Sequence, residues 1–257
     1  MPVAADPDEI YERAKQEGDR RLSMSPLEKI STAFIAGVTI VFGVVALGVV
    51  EGLLEPDVGP GVASVGGALA FALGVVFLIV GRSELFTEDF FDPVAAAIEE
   101  KGRGPWLRLG RLWVVTLVLN LVGGGILVGL MTVPGALPSG AADALVSVAE
   151  DIAAKGWAAT FVRAIFAGAL ITLLSYMVRA CDSVTARILV ALSVGFLLAL
   201  GPFDHVVVSA LHLLFGIWLS DGVAYADLWT NIGLATAGNM IGGLLLITLT
   251  HTAQVRG

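Results

Sequence analysis

Gly81-Arg82-Ser83-Glu84-Leu85-Phe86-Thr87-Glu88-Asp89-Phe90 is the stretch whose reading decides the fold. It lies inside an apolar run of about 33 residues, from near Val65 to Ala97, whereas one spanning helix needs about 20. The stretch carries four charges, Arg82, Glu84, Glu88 and Asp89. A charge at the bilayer centre costs at least about 2.5–3.5 kcal/mol. Membrane depth tolerates such a segment only where the helix breaks and the freed backbone lines a cavity or is buried in protein. The stretch therefore reads as a re-entrant break between two half-helices and as half of a transport pathway.

The composition around it agrees. Of 257 residues, 56% are hydrophobic and 15% charged, with a mean hydropathy of +0.87, which is an integral-membrane composition. A single cysteine, Cys181, excludes an intramolecular disulfide and a Cys-rich metal site. The net charge of −8 offers no basic patch for nucleic acid. Met1 to Lys29 is polar and acidic, and does not read as a cleaved signal peptide. It reads as a solvated cytoplasmic segment, with a short surface helix as the alternative. No Ser-His-Asp set, phosphate-cradling glycine loop, nucleotide motif or His/Cys metal spacing is present. The expectation is therefore no enzyme, no cofactor and no metal.

The expected fold is all-α and integral to the membrane, with six spans. Ser25-Pro26 signals a helix start, and span one is expected from about Ser31 to Leu54. Residues 55–61 read as a turn-rich external loop. Span two, the broken one, covers about 63–100, and span three about 107–133. A short loop helix is expected near 139–154 and span four near 160–178. Span five, about 183–219, is again too long and is interrupted by Gly201-Pro202-Phe203-Asp204-His205. Span six covers about 228–249. The organisation is then a segment 1–29, a six-span domain 30–250 with halves of about 30–135 and 158–250, and a cytoplasmic tail 251–257. The tail and the loops after spans two, four and six hold 12 of the 15 Lys and Arg. The positive-inside rule places both termini in the cytoplasm.

The chain also repeats itself. Asn120-Leu-Val-Gly-Gly lies in span three and Asn239-Met-Ile-Gly-Gly in span six. Thr87 precedes Asn120 by 33 residues and His205 precedes Asn239 by 34. Each half holds a plain helix, a broken helix and an Asn- and Gly-rich helix. Three spans per half is odd, so the halves are expected to be inverted. Discontinuous helices at corresponding places in inverted halves point to a midplane substrate site. The glycines also suit close helix packing in lipid.

At these residues the sequence resembles the formate/nitrite transporter family. Glu84-Leu85-Phe86-Thr87 is similar to that family's break in the second span, Phe203-Asp204-His205 to its Phe-Glu-His in the fifth, and Asn239-Met-Ile-Gly-Gly to its motif in the sixth. The resemblance covers roughly residues 30–250. It implies an aquaporin-like fold, a homopentamer with one pore per protomer in the cell inner membrane, and passage of small monovalent anions such as formate or nitrite. It makes Thr87 and His205 the central pore pair, Leu85 and Phe86 gate positions, and Phe71, Val75 and Leu198 positions in two apolar constrictions. Phe71 and Leu198 are expected on opposite sides of the pair. Glu88 and Asp89 after the Thr, Thr172 where the family often has Asn, and Arg82 depart from the pattern and suggest a divergent, YfdC-like branch. Lys155 is the counterpart, with a one-residue shift, of a family Lys.

The residue chemistry fits such a pathway. An imidazole with an unperturbed pKa near 6.5 gives a proton or a hydrogen bond to an entering anion. Helix N-termini add positive potential, and a weak acid crosses an apolar constriction more cheaply when neutral. Thr87 donates one hydrogen bond and accepts two. Glu84, Glu88 and Asp89 would repel an anion, so at least one is expected to pair with Arg82 or with backbone N–H groups. Asp204 is expected to cap the helix after the second break or to orient His205. Asn120 and Asn239 are expected to line the pore or to satisfy backbone freed at the breaks. His212 reads as a packing or interface residue and His251 as solvated. Two other classes stay open: an aquaporin-like channel for water or a neutral solute, and a non-transporting scaffold or sensor.

Overall fold

The computed structural model describes residues 5–100 and 102–257. Lys101, which enters the charge count above, and the first four residues of the N-terminal segment lie outside the described residues. Every regular element among the described residues is helical.

The N-terminal segment forms α1, Pro7–Ser23, capped where the Asp6 side chain accepts from Glu9 N–H. Its buried residues Ile10, Tyr11, Ala14, Gly18, Arg21 and Leu22 recur at helical spacing and make one face. That face is docked, so the solvated segment expected from the sequence is a packed helix. α2, Pro26–Val58, starts as read, with the Ser25 hydroxyl accepting from Glu28 N–H. It runs four residues past its expected end, through Pro56. The chain then turns on Gly59 alone (φ +77°), a left-handed geometry that glycine reaches without a Cβ penalty.

α3, Pro60–Gly81, stops at the first break. Arg82 is left-handed (φ 53°), the one non-glycine with positive φ among the described residues. Leu85 is extended, a 3-10 turn covers Phe86–Phe90, and α4 follows over Asp92–Glu99. α5, Gly104–Met131, is followed by α6, Ala141–Ala153, and α7, Trp157–Ala180. The second over-long run divides into α8, Val184–Leu200, and α9, Val206–Leu219. α10, Tyr225–Ile241, continues through a π-helical stretch, Gly242–Thr248, into α11, Leu249–Arg256. The expected tail thus prolongs a helix.

Five helices are individually long and apolar enough to cross a membrane: α2, α3, α5, α7 and the continuous run Tyr225–Arg256. α8 and α9 have 17 and 14 residues and make up one run between them. Large apolar side chains such as Phe42, Leu69, Phe77, Val114, Trp229 and Leu245 are exposed, as a surface that meets lipid or a neighbouring chain requires. Inside, α2 packs along α3 and α5, α3 along α8, and α7 along α10.

Two close approaches position both breaks. A Cβ at Gly37 of α2 would run into the Asn120 backbone, and a Cβ at Gly168 of α7 into the Asn239 backbone. The asparagines then bond identically. Asn120 donates to Ala33 O of α2 (2.8 Å) and Glu84 O in the first break (3.0 Å), and accepts from Phe86 N–H (2.9 Å). Asn239 donates to Ala164 O of α7 (2.7 Å) and Asp204 O in the second (3.0 Å), and accepts from Val206 N–H (2.9 Å). Each amide therefore satisfies backbone groups that the break set free, which lipid cannot do.

Candidate functional site

The two breaks meet at one contact. Thr87 Oγ1 lies 2.6 Å from His205 Nε2, with both residues at most 1% exposed. His205 is also the N-cap of α9, where its Nδ1 accepts from Val208 N–H at 3.3 Å. A neutral ring so held carries its proton on Nε2 and donates it to Thr87. The Thr87 hydroxyl proton is then free for another partner.

A cavity of about 600 Å³ reaches His205 from the end where α2 and α3 join; Phe71, Leu198, Phe203, Lys155 and Asp204 line it. A second, of about 290 Å³, lies at the opposite ends of α3 and α7, under α1; Leu78, Ile79, Glu84, Glu88, Ser175 and Arg21 line it. Thr87, Leu85, Phe86 and Val75 are buried and line neither cavity. Phe71 and Leu198, expected on opposite sides of the central pair, face the same cavity. The reason is packing: α8 lies against α3 with Gly195 at Ala72 and Val75, so Leu198, one turn on, comes level with Phe71.

The expected pairing of the break carboxylates with Arg82 is overturned. The Arg82 side chain is 68% exposed and touches Glu17 at 3.5 Å, because its left-handed backbone at the end of α3 turns it outward. Arg21 of α1 takes its place. Its guanidinium, 6% exposed, lies 3.0 Å from both Glu84 Oε2 and Asp89 Oδ1, 3.8 Å from Asp92 and 3.9 Å from Glu88. The contact to Asp89 is a hydrogen bond; that from Nε to Glu84 is a close ion pair without hydrogen-bond alignment. Arg20 reaches Glu84 at 2.8 Å and Arg179 reaches Asp92 at 2.9 Å. Sequence reasoning missed Arg20 and Arg21. The available signal was the charge balance: four acids from Glu84 to Asp92 beside one local cation.

Glu17 of α1 joins this cluster. Burial raises its pKa, but the hydrogen bond from Arg20 and the charges of Arg21 and Arg179 outweigh burial and hold it at about 2.

The Asp204 carboxylate neither caps α9 nor touches the His205 ring. His205 itself is the cap, and Asp204 forms an ion pair with Lys155 while its N–H donates to Arg163 O at 3.3 Å. Lys155 thus sits on the second break. Thr172 is buried with its hydroxyl unpartnered. His212 is buried and lines the larger cavity. His251, expected to be solvated, is part-exposed and also stacks on Tyr176, with ring centroids 3.7 Å apart and planes at 9°.

Comparison with known proteins shows what the chain is similar to. The family described as "Formate/nitrite transporter" matches residues 8–253. Inner membrane protein YfdC of Escherichia coli (strain K12) is 27% identical over 248 residues, covering 96% of this chain and 78% of that protein. Formate channel FocA of the same strain is 27% identical over 266 residues, covering 93% and 90%. Among solved structures, an "FNT family ion channel" superposes with a TM-score of 0.81 at 19% identity, over 95% of this chain and 98% of that one. A "Pentameric formate channel with formate bound" gives 0.75 at 19%, over 90% and 98%.

Proposed function

Because the chain belongs to the formate/nitrite transporter family, we propose that it is a membrane channel or transporter for a small monovalent anion, or its weak acid. The observation that carries this reading is the Thr87–His205 contact of 2.6 Å, where two broken helices meet between cavities at opposite ends of the helix bundle. A solute leaving either cavity meets an apolar surround in which these two side chains offer polar hydrogens. His205 sits at the N-terminus of a 14-residue helix, whose partial positive charge favours an anion. Passing a proton or a hydrogen bond to the solute there lowers the cost of the apolar stretch beyond. Phe71, Val75, Leu85, Phe86, Leu198 and Phe203 form that stretch, and Asn120, Asn239, Glu84 and Asp204 support it, with Arg21 in the place expected of Arg82. In this reading the chain is not an enzyme.

The proposal extends to the architecture. α2, the α3–α4 pair, α5, α7, the α8–α9 pair and α10–α11 are six spans in two inverted halves, about 30–135 and 158–250, preceded by a cytoplasmic segment 1–29. The equivalent bonds of Asn120 and Asn239 support the repeat. Assembly is a homopentamer in the inner membrane, in keeping with a pentameric relative of the same fold and with YfdC, an inner membrane protein.

Flux into proteoliposomes of formate, nitrite, acetate, lactate, hydrosulfide and glycerol tests the function. His205→Phe is expected to abolish or strongly reduce anion flux with the oligomer intact. Thr87→Val has a milder effect of the same sign, losing one neutral hydrogen bond of roughly 0.5–1.5 kcal/mol. Wild-type anion flux with unchanged pH dependence in His205→Phe overturns the role of His205. Glycerol or water flux without anion flux favours the neutral-solute channel, a reading to which the neutral tautomer of His205 lends itself.

A further inference from the structure

We propose that His212 is a second solute-binding station, holding the anion by a hydrogen bond in the larger cavity before it reaches Thr87 and His205. The inference rests on the anion-channel reading above. His212 follows His205 by seven residues on α9, two turns along the same helix face and about 10 Å up the axis. Ser209 lies between them, and all three residues line the larger cavity. They make a polar stripe on a helix whose other buried residues are apolar apart from the glycine.

His212 is 3% exposed, yet its Nδ1 has no hydrogen-bond partner among the described residues. Buried polar atoms are almost always paired, so an unpaired one calls for a reason. A histidine kept only for packing would cost a desolvated nitrogen that leucine would not. Its place on the cavity wall supplies the reason for keeping the ring. The Nδ1 is sealed from solvent, so the rest of the ring meets the cavity. The partner of Nε2, which is also unpaired among the described residues, is a solute or the water that a solute displaces.

Charge alone does not hold an anion there. Lys155 and Arg163 face four carboxylates, Glu51, Glu55, Asp151 and Asp204, in the same cavity. Lys155 is already engaged by Asp204, and the helix-end potential of α9 fades within its first turn. Hydrogen-bond donors must do the holding, and the His212 ring is positioned to be one.

Nuclear magnetic resonance of the wild-type protein in nanodiscs, with ¹⁵N in its three imidazoles, tests this directly. Sodium formate is titrated against sodium gluconate at equal ionic strength, and the His212 signal is assigned by its loss in His212→Gln. The expected result is a saturable shift of the His212 signal with formate and none with gluconate. In proteoliposomes His212→Leu raises the formate concentration for half-maximal flux roughly three- to ten-fold, as loss of one hydrogen bond predicts. His212→Gln, which keeps an N–H donor, raises it less. A His212 signal indifferent to formate while the wild-type protein carries formate overturns the station and leaves the channel reading standing. A saturable shift without any anion flux overturns the channel reading and leaves His212 as an anion-binding site but not a station on a pathway; neither shift nor flux overturns both.

Discussion

A helix broken inside lipid frees backbone groups that water cannot reach, and at each break one asparagine takes them up. Asn120 and Asn239 each make three hydrogen bonds, two to the break and one to a neighbouring helix. Replacing either by leucine strands those groups in a dry interior, at about 1–3 kcal/mol per unsatisfied group before relaxation. Asn120→Leu and Asn239→Leu should each lower stability by about 2–5 kcal/mol, and by similar amounts, because the two networks are equivalent. Thermal unfolding in detergent measures this; two variants as stable as wild type would refute the shared role. This part of the site was legible in the sequence, since the Asn-x-x-Gly-Gly motifs follow the two breaks at nearly equal spacing. The His205 cap was not, because a histidine and a preceding aspartate are both chemically fit to cap a helix. Only coordinates show which turns toward Val208.

At the scale of the element, α1 is what the sequence left least legible. Arg20 and Arg21 sit in a mixed-charge stretch that has the composition of a solvated tail, and their partners lie 63 to 71 positions further on. Nothing local marks a contact of that range. The docked helix places one buried guanidinium among Glu84, Glu88, Asp89 and Asp92, and removing one member of such a buried set costs about 3–5 kcal/mol, because it strands charges in low dielectric. Arg21→Met is therefore expected to release α1 or to destabilise the chain by that amount; hydrogen exchange across residues 7–23 reads the first and denaturation in detergent the second. Unchanged protection and stability would mean that the cluster is held without Arg21. Glu17 makes one contribution to the pH dependence of docking. Its pKa in the docked state is about 2, below the 4.5 of a free carboxylate. Its contribution is thus complete above about 4.5 and fades as pH falls toward 2. Exchange of the α1 amides should accelerate over that window relative to α5, after correction for the intrinsic rate. Protection of α1 that stays level across it would count against this account of Glu17.

At the scale of the whole molecule, the fold collects at one end several of the described cations that the loop count assigns to one side. Arg13 bonds to Arg179 O and Asp182, Arg256 pairs with Glu99, Arg108 with Glu100, and Arg187 donates to Cys181 O. These contacts, with α1 packed on α4, α7 and α11, tie the cations of α1, the start of α5, the end of α7, the start of α8 and the end of α11, and the carboxylates at the end of α4, into a single face. The opposite end, where α2 meets α3 and α8 stops at Gly201, carries Glu51, Glu55, Asp151 and Asp204 against Lys155 and Arg163. Lys and Arg near the ends of spans are retained on the cytoplasmic side of the membrane, and acidic residues contribute little to that bias. Because the cations are spread over five segments yet share one face, no single loop decides the orientation, and the bias adds across the chain. Both termini should then be cytoplasmic, with the smaller, Arg-lined cavity opening inward and the larger, His-lined cavity outward. A reporter that is active only in the cytoplasm, fused after Gly257, is expected to be active. One that is active only outside the cell, fused at the same place, is expected to be silent. The reverse pair of results would turn the molecule over in the membrane and exchange the two cavities.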